Sequence, residues 1–330
     1  MVPQDPLDSV PMRIVFFGSP DFGASSLQAL IETPHQLVAV VSQPDRPAGR
    51  GHVATAPPVK RLAVEHGLNV LQPEKASDAE FIDALRALEP DVFVVAAYGQ
   101  ILRQRLLDVP AHGTLNVHAS LLPRWRGASP ISAAVLHGDE VTGVSLMQMV
   151  RGLDAGPVIT QVEVPITPQD TTGSLEPHLA EVGADLLARS LDDWASGKLP
   201  AVAQDESLVT YALQLTRADA LLDWSSPAVE LWRAVRAFNP WPVAHTHWRA
   251  EELRIHEAWP LEYSGNAPPG TVLPPAALPP EAGDSQATFA VATGSGALAV
   301  RSLQRPGKRA LSGAEFLRGQ RDFVGERLGK

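Results

Sequence analysis

Short apolar runs alternate with amphipathic stretches through the first part of the chain. The apolar runs have the length of β-strands, and the amphipathic stretches repeat with the helical period. The predicted strands are residues 12–18, 37–42, 69–71, 91–97, a segment containing Leu115 and Val117, 143–150 and 158–165. The predicted helices are residues 24–32, 57–66, 78–88, 129–137 and 175–191. This alternation predicts an α/β domain with a Rossmann-like, doubly wound and mostly parallel sheet.

The pattern changes after a polar segment at residues 204–216. A helix is predicted at residues 227–238, followed by short stretches in which apolar and polar residues alternate between Gly/Pro turns. These predicted strands are residues 242–248, 253–259, 288–292 and 298–303. They favour a small β-barrel. Residues 267–283 contain six prolines and are expected to form a long exposed hairpin loop without regular structure.

The chain is therefore divided into four parts. Residues 1–11 are expected to be a disordered lead-in, 12–203 the α/β domain, 204–216 a linker and 217–330 the C-terminal barrel domain. The lead-in carries three prolines, two aspartates and no basic residue, so it does not resemble a secretory signal.

The first strand ends at Gly18, and the next glycine is Gly23. A dinucleotide-binding loop needs a further glycine between such positions, and a phosphate loop needs Lys followed by Ser or Thr. Neither pattern is present. The spacing therefore argues against an NAD or ATP site.

Composition narrows the class of protein. Apolar residues make up 45% of the 330 residues and charged residues 19%, as expected for a soluble globular protein of two domains. There is no cysteine, which excludes disulfides, thiolate catalysis and Cys-based zinc sites. No run of eighteen apolar residues occurs, so we expect no membrane span. The absence of cysteine favours a cytoplasmic location. We further expect a monomer.

Charge is unevenly distributed along the chain. The formal net charge is −10, yet residues 301–330 hold eight Lys/Arg against three acids, so that end is +5 and the first 300 residues are −15. A basic end permits contact with nucleic acid, because local patches attract phosphates. Taken alone, however, a basic end of this kind favours a solvated, charged tail.

Three polar residues are candidates for chemistry. Asn116 and His118 alternate along a predicted strand, so they project from the same face just before a Ser-Leu-Leu-Pro corner. They offer an amide and a group that titrates near neutral pH, although such a pair can also be purely structural. Asp154 lies between Gly152 and Gly156, which leave its carboxylate accessible.

Two further features have open interpretations. Residues 43–52 form a predicted mobile loop in which Arg46 and Arg50 either clamp phosphates or keep the loop in water. His245 and His247 lie two apart on a predicted strand and could share a metal, but no third ligand lies nearby.

Several motifs together resemble one family. The Asn-x-His-x-Ser-Leu-Leu-Pro corner at residues 116–123 and the downstream Asp154 resemble the signature of the 10-formyltetrahydrofolate-dependent formyltransferases. Four stretches are similar to the methionyl-tRNA formyltransferases within that family: QPDRPAGRG (43–51), LLPRWRGA (121–128), DESLVTYA (205–212) and RAFNPWP (236–242). The collinear match runs from about residue 12 to the C-terminus.

The resemblance implies transfer of the formyl group of 10-formyltetrahydrofolate to the α-amine of methionyl initiator tRNA, for translation initiation. Asn116 and His118 would stabilise the oxyanion, and Asp154 would favour the imidazolium and relay a proton. The implied folate contacts are Ser120, Leu121, Leu122 and Pro123, with Tyr98, Gln100, Ile101 and Leu102 as a second wall. Arg46 and Arg50 would contact the tRNA acceptor end, and an OB-like C-terminal domain would hold the tRNA backbone. No metal is implied.

The chain departs from the family at a few positions. Ala119 replaces a common glycine beside the catalytic pair, and basic residues frequent in the family are missing near His52 and Gln214, which affects tRNA affinity more than chemistry. Two other interpretations stay open: a formyltransferase acting on a nucleotide-linked amino sugar, and a catalytically silent nucleic-acid-binding protein.

Overall fold

The computed structural model of the chain describes residues 11–48, 53–274, 289–320 and 322–329. The chain forms two compact units. The first consists of Met1–Pro130, Val141–Pro165 and Glu176–Tyr211, and the second of Ile131–Glu140, Ile166–Leu175 and Ala212–Lys330. No helix within the described ranges combines the length and apolarity of a transmembrane span.

The described elements follow one another in this order: β1 (Arg13–Gly18), α1 (Asp21–Ile31), β2 (Gln36–Val41), β3 (Arg46–Ala48), β4 (Val53–Thr55), α2 (Pro58–Glu65), β5 (Val70–Leu71), α3 (Ala79–Arg86), β6 (Val92–Ala96), α4 (Gln104–Leu107), β7 (Thr114–His118), β8 (Arg126–Gly127), α5 (Pro130–His137), β9 (Val141–Gln148), β10 (Val158–Pro165), α6 (Thr172–Ala195), β11 (Tyr211–Ala212), α7 (Ala228–Ala237), β12 (His245–Trp248), β13 (Glu251–Leu261), β14 (Val272–Leu273), β15 (Ala290–Ala292), β16 (Ala297–Gln304), β17 (Leu311–Ser312) and α8 (Gly313–Gly319).

A seven-stranded sheet organises the first unit, in the order β10-β9-β7-β6-β1-β2-β5. The pairs β5–β2, β2–β1, β1–β6 and β6–β7 are parallel, whereas β9 runs antiparallel to both β7 and β10. The prediction of a Rossmann-like, mostly parallel sheet is confirmed. In such sheets ligands gather beyond the carboxyl ends of the strands, and this is where β7 ends in His118.

The central strand β6 is apolar throughout, as expected for a strand of a parallel sheet whose two faces are both covered. Every residue of β6 and of β7 is buried. The rings of Phe17 and Phe93 lie 5.0 Å apart across neighbouring strands. Gly23 lets α1 approach β6 closely, because a Cβ at this position would lie 2.7 Å from the Ala96 carbonyl oxygen.

The second unit is built on an antiparallel half-barrel. Its sheet has the order β12-β13-β16-β15-β14, with β17 paired to β16. An aromatic cluster of edge-to-face rings forms part of its core, with Phe316 and Phe323 4.9 Å apart and Trp248 5.0 Å from Phe323. The predicted barrel-like C-terminal architecture is confirmed.

Two predictions of irregular structure were wrong in part. The loop predicted at residues 43–52 contains β3, which pairs with β4 as a short antiparallel hairpin. The loop predicted at residues 267–283 contains β14, where the apolar pair Val272 and Leu273 is buried against β15. Residues 275–283 lie outside the described ranges. The prediction missed both strands because each is too short to show alternation.

The helix α8 was also missed, although the sequence carries a signal for it. Ser312 and Glu315 form a capping box, in which the Ser312 hydroxyl accepts from the Glu315 N–H and the Glu315 carboxylate accepts from the Ser312 N–H. This pairing lowers the pKa of Glu315 to about 2, chiefly through the backbone hydrogen bond from Ser312 and the Arg309 guanidinium.

Candidate functional site

The site is centred on the end of β7. Asn116 and His118 project from the same face of this strand, as the alternation predicted, and are only 8% and 7% exposed. Asn116 is paired in register with Val95 of β6 and Met147 of β9. Within the part of the chain that the structure describes, the Asn116 side-chain amide makes no hydrogen bond to the protein, so its donors remain available to a ligand.

The His118 ring is oriented by a backbone carbonyl. Its Nε2 lies 3.0 Å from the Trp125 carbonyl oxygen, and a carbonyl can only accept, so Nε2 carries the hydrogen. Its Nδ1 faces Oδ2 of Asp154 at 3.8 Å. The ring nitrogen left for chemistry is therefore Nδ1, which lies next to a carboxylate.

Asp154 is held in an unusual backbone conformation. Its φ of 46° is left-handed, which few residues other than glycine adopt. Its Oδ2 accepts a hydrogen bond of 2.8 Å from the Gly127 N–H. The flanking Gly156 packs directly against the Gln148 carbonyl oxygen, where a side chain has no room. The glycine thus serves close packing, and the left-handed turn falls on the aspartate itself.

The structure brings a further group to Asp154 that sequence reasoning missed. The Gln204 amide donates 2.7 Å hydrogen bonds to the carbonyl oxygens of Asp154 and Gly156. Arg126, with only 3% of its side chain exposed, donates from Nε to Gln204 at 3.0 Å and forms an ion pair with Glu206 at 2.8 Å. Neither a motif nor a spacing signals contacts across such a sequence separation.

Two polar residues, Ser145 and Gln161, hold the corner at residues 120–123 through hydrogen bonds to its backbone. The Ser145 hydroxyl lies 2.5 Å from the Ser120 carbonyl oxygen and accepts from the Leu122 N–H at 3.0 Å. Gln161 donates to the same hydroxyl at 2.7 Å and to the Leu122 carbonyl oxygen at 3.0 Å. Leu121 and Pro123 are half-buried at this corner. The antiparallel strands β9 and β10 thus hold the turn on which the predicted folate contacts lie.

The segment 98–102 divides into core and surface positions. Tyr98 and Leu102 are buried in the same apolar cluster, whereas Ile101 is 85% exposed. Gln100 fixes the backbone by accepting from the Ala76 N–H at 2.8 Å and donating to Gln43 at 3.2 Å. Burial raises the pKa of Tyr98 to about 12.

One of the two predicted tRNA contacts, Arg46, begins β3. Arg46 is exposed and forms an ion pair of 2.8 Å with Glu74, whose side chain is 69% exposed. Arg50 lies outside the described residues.

Three of the eight Lys/Arg residues at positions 301–330 form ion pairs within the described part of the second unit. Arg301 pairs with Glu257, Arg305 with Glu251 and Arg309 with Glu315. The local charge that phosphates would meet is therefore smaller than a count of basic residues suggests.

No group of three or more His, Asp or Glu able to hold a metal ion occurs among the described residues. The rings of His245 and His247 lie 6.2 Å apart at a steep angle, and Nδ1 of His245 lies 3.3 Å from the Val243 carbonyl oxygen. This pair has the character of a structural contact.

Comparison with known proteins identifies the family. The family described as Formyl transferase matches residues 12–191, and that described as Formyl transferase, C-terminal domain matches residues 214–321. A methionyl-tRNA formyltransferase of Pseudomonas fluorescens is 46% identical over 322 residues, covering 97% of this chain and 98% of that protein. One from Magnetococcus marinus is 45% identical over 318 residues, covering 96% and 98%.

Solved structures share the fold at low identity. HypX from Aquifex aeolicus in complex with tetrahydrofolic acid has a TM-score of 0.60 at 19% identity, covering 96% of this chain and 49% of that chain. An N-formyltransferase from Helicobacter canadensis, in complex with folinic acid and dTDP-3-aminofucose, has a TM-score of 0.63 at 15% identity, covering 89% and 99%. At these identities the likeness concerns the fold alone.

One family match covers most of the α/β region and the other most of the C-terminal region. Both relatives, which align over almost their full length, are methionyl-tRNA formyltransferases. The chain therefore belongs to the formyltransferase family, in the group of the methionyl-tRNA formyltransferases, enzymes that formylate methionyl-tRNA.

Proposed function

We propose that the chain transfers the formyl group of 10-formyltetrahydrofolate to the α-amine of methionyl initiator tRNA, with Asn116, His118 and Asp154 as catalytic residues. The observation that carries this proposal is the approach of His118 Nδ1 to Asp154 Oδ2, at 3.8 Å, at the end of the strand that presents Asn116. Members of this family take their formyl group from a folate.

Stabilisation of the oxyanion falls to two donors. As the amine nitrogen bonds to the formyl carbon, negative charge develops on the formyl oxygen. Asn116 donates an amide N–H to this oxygen, and its nearly complete burial makes the interaction stronger than it would be in water. The imidazolium form of His118 donates from Nδ1, because its Nε2–H is already engaged by Trp125.

Proton transfer falls to Asp154. Its carboxylate stabilises the positive charge on the His118 ring and accepts the proton that the attacking amine loses. The bond between the formyl carbon and N10 of the folate then breaks, and the proton passes to N10. The products are the formylated amine and tetrahydrofolate, so the step is balanced without a metal or a redox partner.

The folate lies, in this proposal, against two pieces of fixed backbone. One is the corner from Ser120 to Pro123, which Ser145 and Gln161 hold through their side chains. The other is the segment 98–102, where Ile101 presents an exposed apolar side chain and Gln100 anchors the chain. Tyr98 and Leu102 support this segment from the core. The free amide of Asn116 and the exposed side chain of Ile101 fit a flat, partly polar ligand.

The tRNA is contacted by Arg46 and Arg50 at its acceptor end and by the C-terminal domain at its backbone. The ion pair of Arg46 with Glu74 is exposed on both sides, so it is weak and a phosphate can replace it. We assign residues 12–203 to catalysis, 204–216 to a linker and 217–330 to an OB-like domain that binds tRNA. We also propose that the protein acts as a cytoplasmic monomer.

The proposal is tested with a labelled formyl group on 10-formyltetrahydrofolate and, separately, on 5-formyltetrahydrofolate. Each donor is combined with methionyl initiator tRNA and with methionyl elongator tRNA. We expect label in the initiator product from the 10-formyl donor, with one tetrahydrofolate released per formyl group transferred. Equal transfer to elongator tRNA would contradict the proposed acceptor, and equal use of the 5-formyl donor would contradict the proposed folate.

A further inference from the structure

Gln204 lies in the segment predicted as a linker, yet its side chain contacts the loop that carries Asp154. Its amide nitrogen donates two hydrogen bonds of 2.7 Å, to the carbonyl oxygens of Asp154 and Gly156. One side-chain amide therefore spans the backbone on both sides of Ala155. This is the stretch of chain in which Asp154 adopts its left-handed φ of 46°.

The orientation of this amide is fixed by chemistry. The Oε1 of Gln204 accepts from Nε of Arg126 at 3.0 Å, and a guanidinium can only donate. The oxygen must therefore face Arg126, and the nitrogen must face the two carbonyls. Arg126 is itself held by both carboxylate oxygens of Glu206, at 2.8 Å and 3.3 Å. A flip of the Gln204 amide would break all three hydrogen bonds of its side chain, to Arg126, Asp154 and Gly156.

The same strand segment also reaches the carboxylate. Arg126 precedes Gly127, whose N–H donates to Oδ2 of Asp154 at 2.8 Å. The Arg126 N–H in turn donates to the Thr210 carbonyl oxygen at 2.9 Å. The backbone and the side chain of Asp154 are thus held by neighbouring groups that belong to one hydrogen-bonded network.

We infer that Gln204 is a positioning residue, which holds the Asp154 loop in its strained conformation and so keeps the carboxylate beside Nδ1 of His118. Aspartate tolerates a left-handed φ better than most residues, but this conformation still costs free energy relative to the right-handed one, so contacts to the adjoining backbone help to hold it. The two hydrogen bonds from Gln204 are contacts of this kind. This inference rests on the proposed catalytic function of Asp154.

Two variants together test the loss of the N–H donors, because Gln204→Glu keeps the acceptor for Arg126 and Gln204→Met adds no charge. A carboxylate still accepts from Arg126, but it provides no N–H donor and places negative charge against two carbonyl oxygens. We expect the loop to relax and kcat to fall by about 10²-fold, the loss typical of a misplaced catalytic group. The KM values for the folate and for the charged tRNA should not change. Gln204→Met removes the same donors without adding charge and should give the same loss.

A matched control carries the same chemical change elsewhere. Gln36 begins β2 and accepts a hydrogen bond from Arg13 at 3.0 Å. This pair lies at the amino-terminal ends of the parallel strands, whereas the site lies at their carboxyl ends. Gln36→Glu should retain the wild-type kcat. Thermal unfolding and circular dichroism of all variants establish that each one is folded.

A double-mutant cycle with Asp154→Ala decides how Gln204 acts. If it acts through the Asp154 carboxylate, Gln204→Glu should cause no further loss of kcat in the Asp154→Ala background. An equal loss in both backgrounds would overturn the inference, and so would a higher KM for tRNA with kcat unchanged. Full activity of folded Gln204→Glu and Gln204→Met, with kcat of Asp154→Ala strongly reduced, would overturn the inference and leave the proposed function standing. Full activity of Asp154→Ala would overturn the proposed role of Asp154 itself.

Discussion

Nδ1 of His118 lies 3.8 Å from Oδ2 of Asp154, while Nε2 of the same ring is bonded to the Trp125 carbonyl oxygen at 3.0 Å. The Trp125 carbonyl oxygen fixes the tautomer and the plane of the ring. The Asp154 carboxylate places a negative charge near Nδ1. The distance to Asp154 exceeds that of a hydrogen bond. The carboxylate therefore acts on the ring through its charge, which leaves the Nδ1–H of the imidazolium to donate to the formyl oxygen.

The charge of Asp154 should matter more than its shape. In Asp154→Asn the amide oxygen can still accept from the Gly127 N–H, so the loop should keep its position. The variant has no base for the amine proton, and we expect kcat to fall by about 10²- to 10⁴-fold. Steady-state kinetics measure this loss, with circular dichroism as the check on folding. Turnover at the wild-type rate would remove Asp154 from the mechanism.

The amide of Asn116 is predicted to act as an oxyanion donor. Asn116→Asp preserves the size of the side chain but replaces the N–H donor by a carboxylate oxygen, which repels the developing charge. We expect a loss of about 10²- to 10³-fold in kcat, as for the removal of other oxyanion donors, with folate still bound. Equilibrium folate binding and kcat are measured on the same preparation. A loss confined to folate affinity would assign Asn116 to binding instead.

Arg46 and Glu74 should have opposite effects on tRNA binding. Arg46→Ala removes a cation and should raise the KM for charged tRNA and lower the salt slope by about one. Glu74→Ala removes the competing carboxylate and should lower that KM, because Arg46 no longer has to leave its ion pair. Initial rates at several salt concentrations measure both effects. If both variants keep the wild-type KM for charged tRNA, Arg46 does not contact the tRNA.

Tyr98 should be dispensable as a hydroxyl. Its Oη is buried and has no hydrogen-bond partner among the described residues, so Tyr98→Phe should stabilise the protein by about 1 kcal/mol. Folding holds the pKa of Tyr98 at about 12, above the usual 10.0, so wild-type stability falls as the pH rises through this interval. The stability advantage of the Phe variant should therefore grow with pH over the same range.

Denaturant unfolding at several alkaline pH values measures this difference. A lower stability of the Phe variant at neutral pH would indicate that the hydroxyl has a partner. A higher KM of the Phe variant for 10-formyltetrahydrofolate would indicate that the Tyr98 hydroxyl forms a hydrogen bond with this substrate.

The sequence predicted those parts of the fold that depend on the local order of apolar and polar residues. Continuous apolar runs predicted β1, β6 and the parallel sheet, and alternation placed Asn116 and His118 on one face. The hairpin β3–β4 could not be predicted, because its strands are three residues long and one carries a proline. Its existence depends on pairing and not on pattern.

The surroundings of the site were beyond the reach of sequence patterns. Gln204 contacts a residue fifty positions away, and an isolated glutamine in a polar segment gives no local signal. The charge of the C-terminal end was counted correctly, but its pairing with Glu251, Glu257 and Glu315 arises only on folding. The interior position of Tyr98 likewise follows from how the chain turns after β6.

The most direct test of the account is formylation of methionyl initiator tRNA by the purified protein with 10-formyltetrahydrofolate. Uncharged tRNA and a nucleotide-linked amino sugar serve as alternative acceptors, and His118→Ala is assayed in parallel. We expect rapid transfer to the charged tRNA alone and loss of most turnover in His118→Ala. Transfer only to the amino sugar, or an unchanged rate in His118→Ala, would contradict the proposed function.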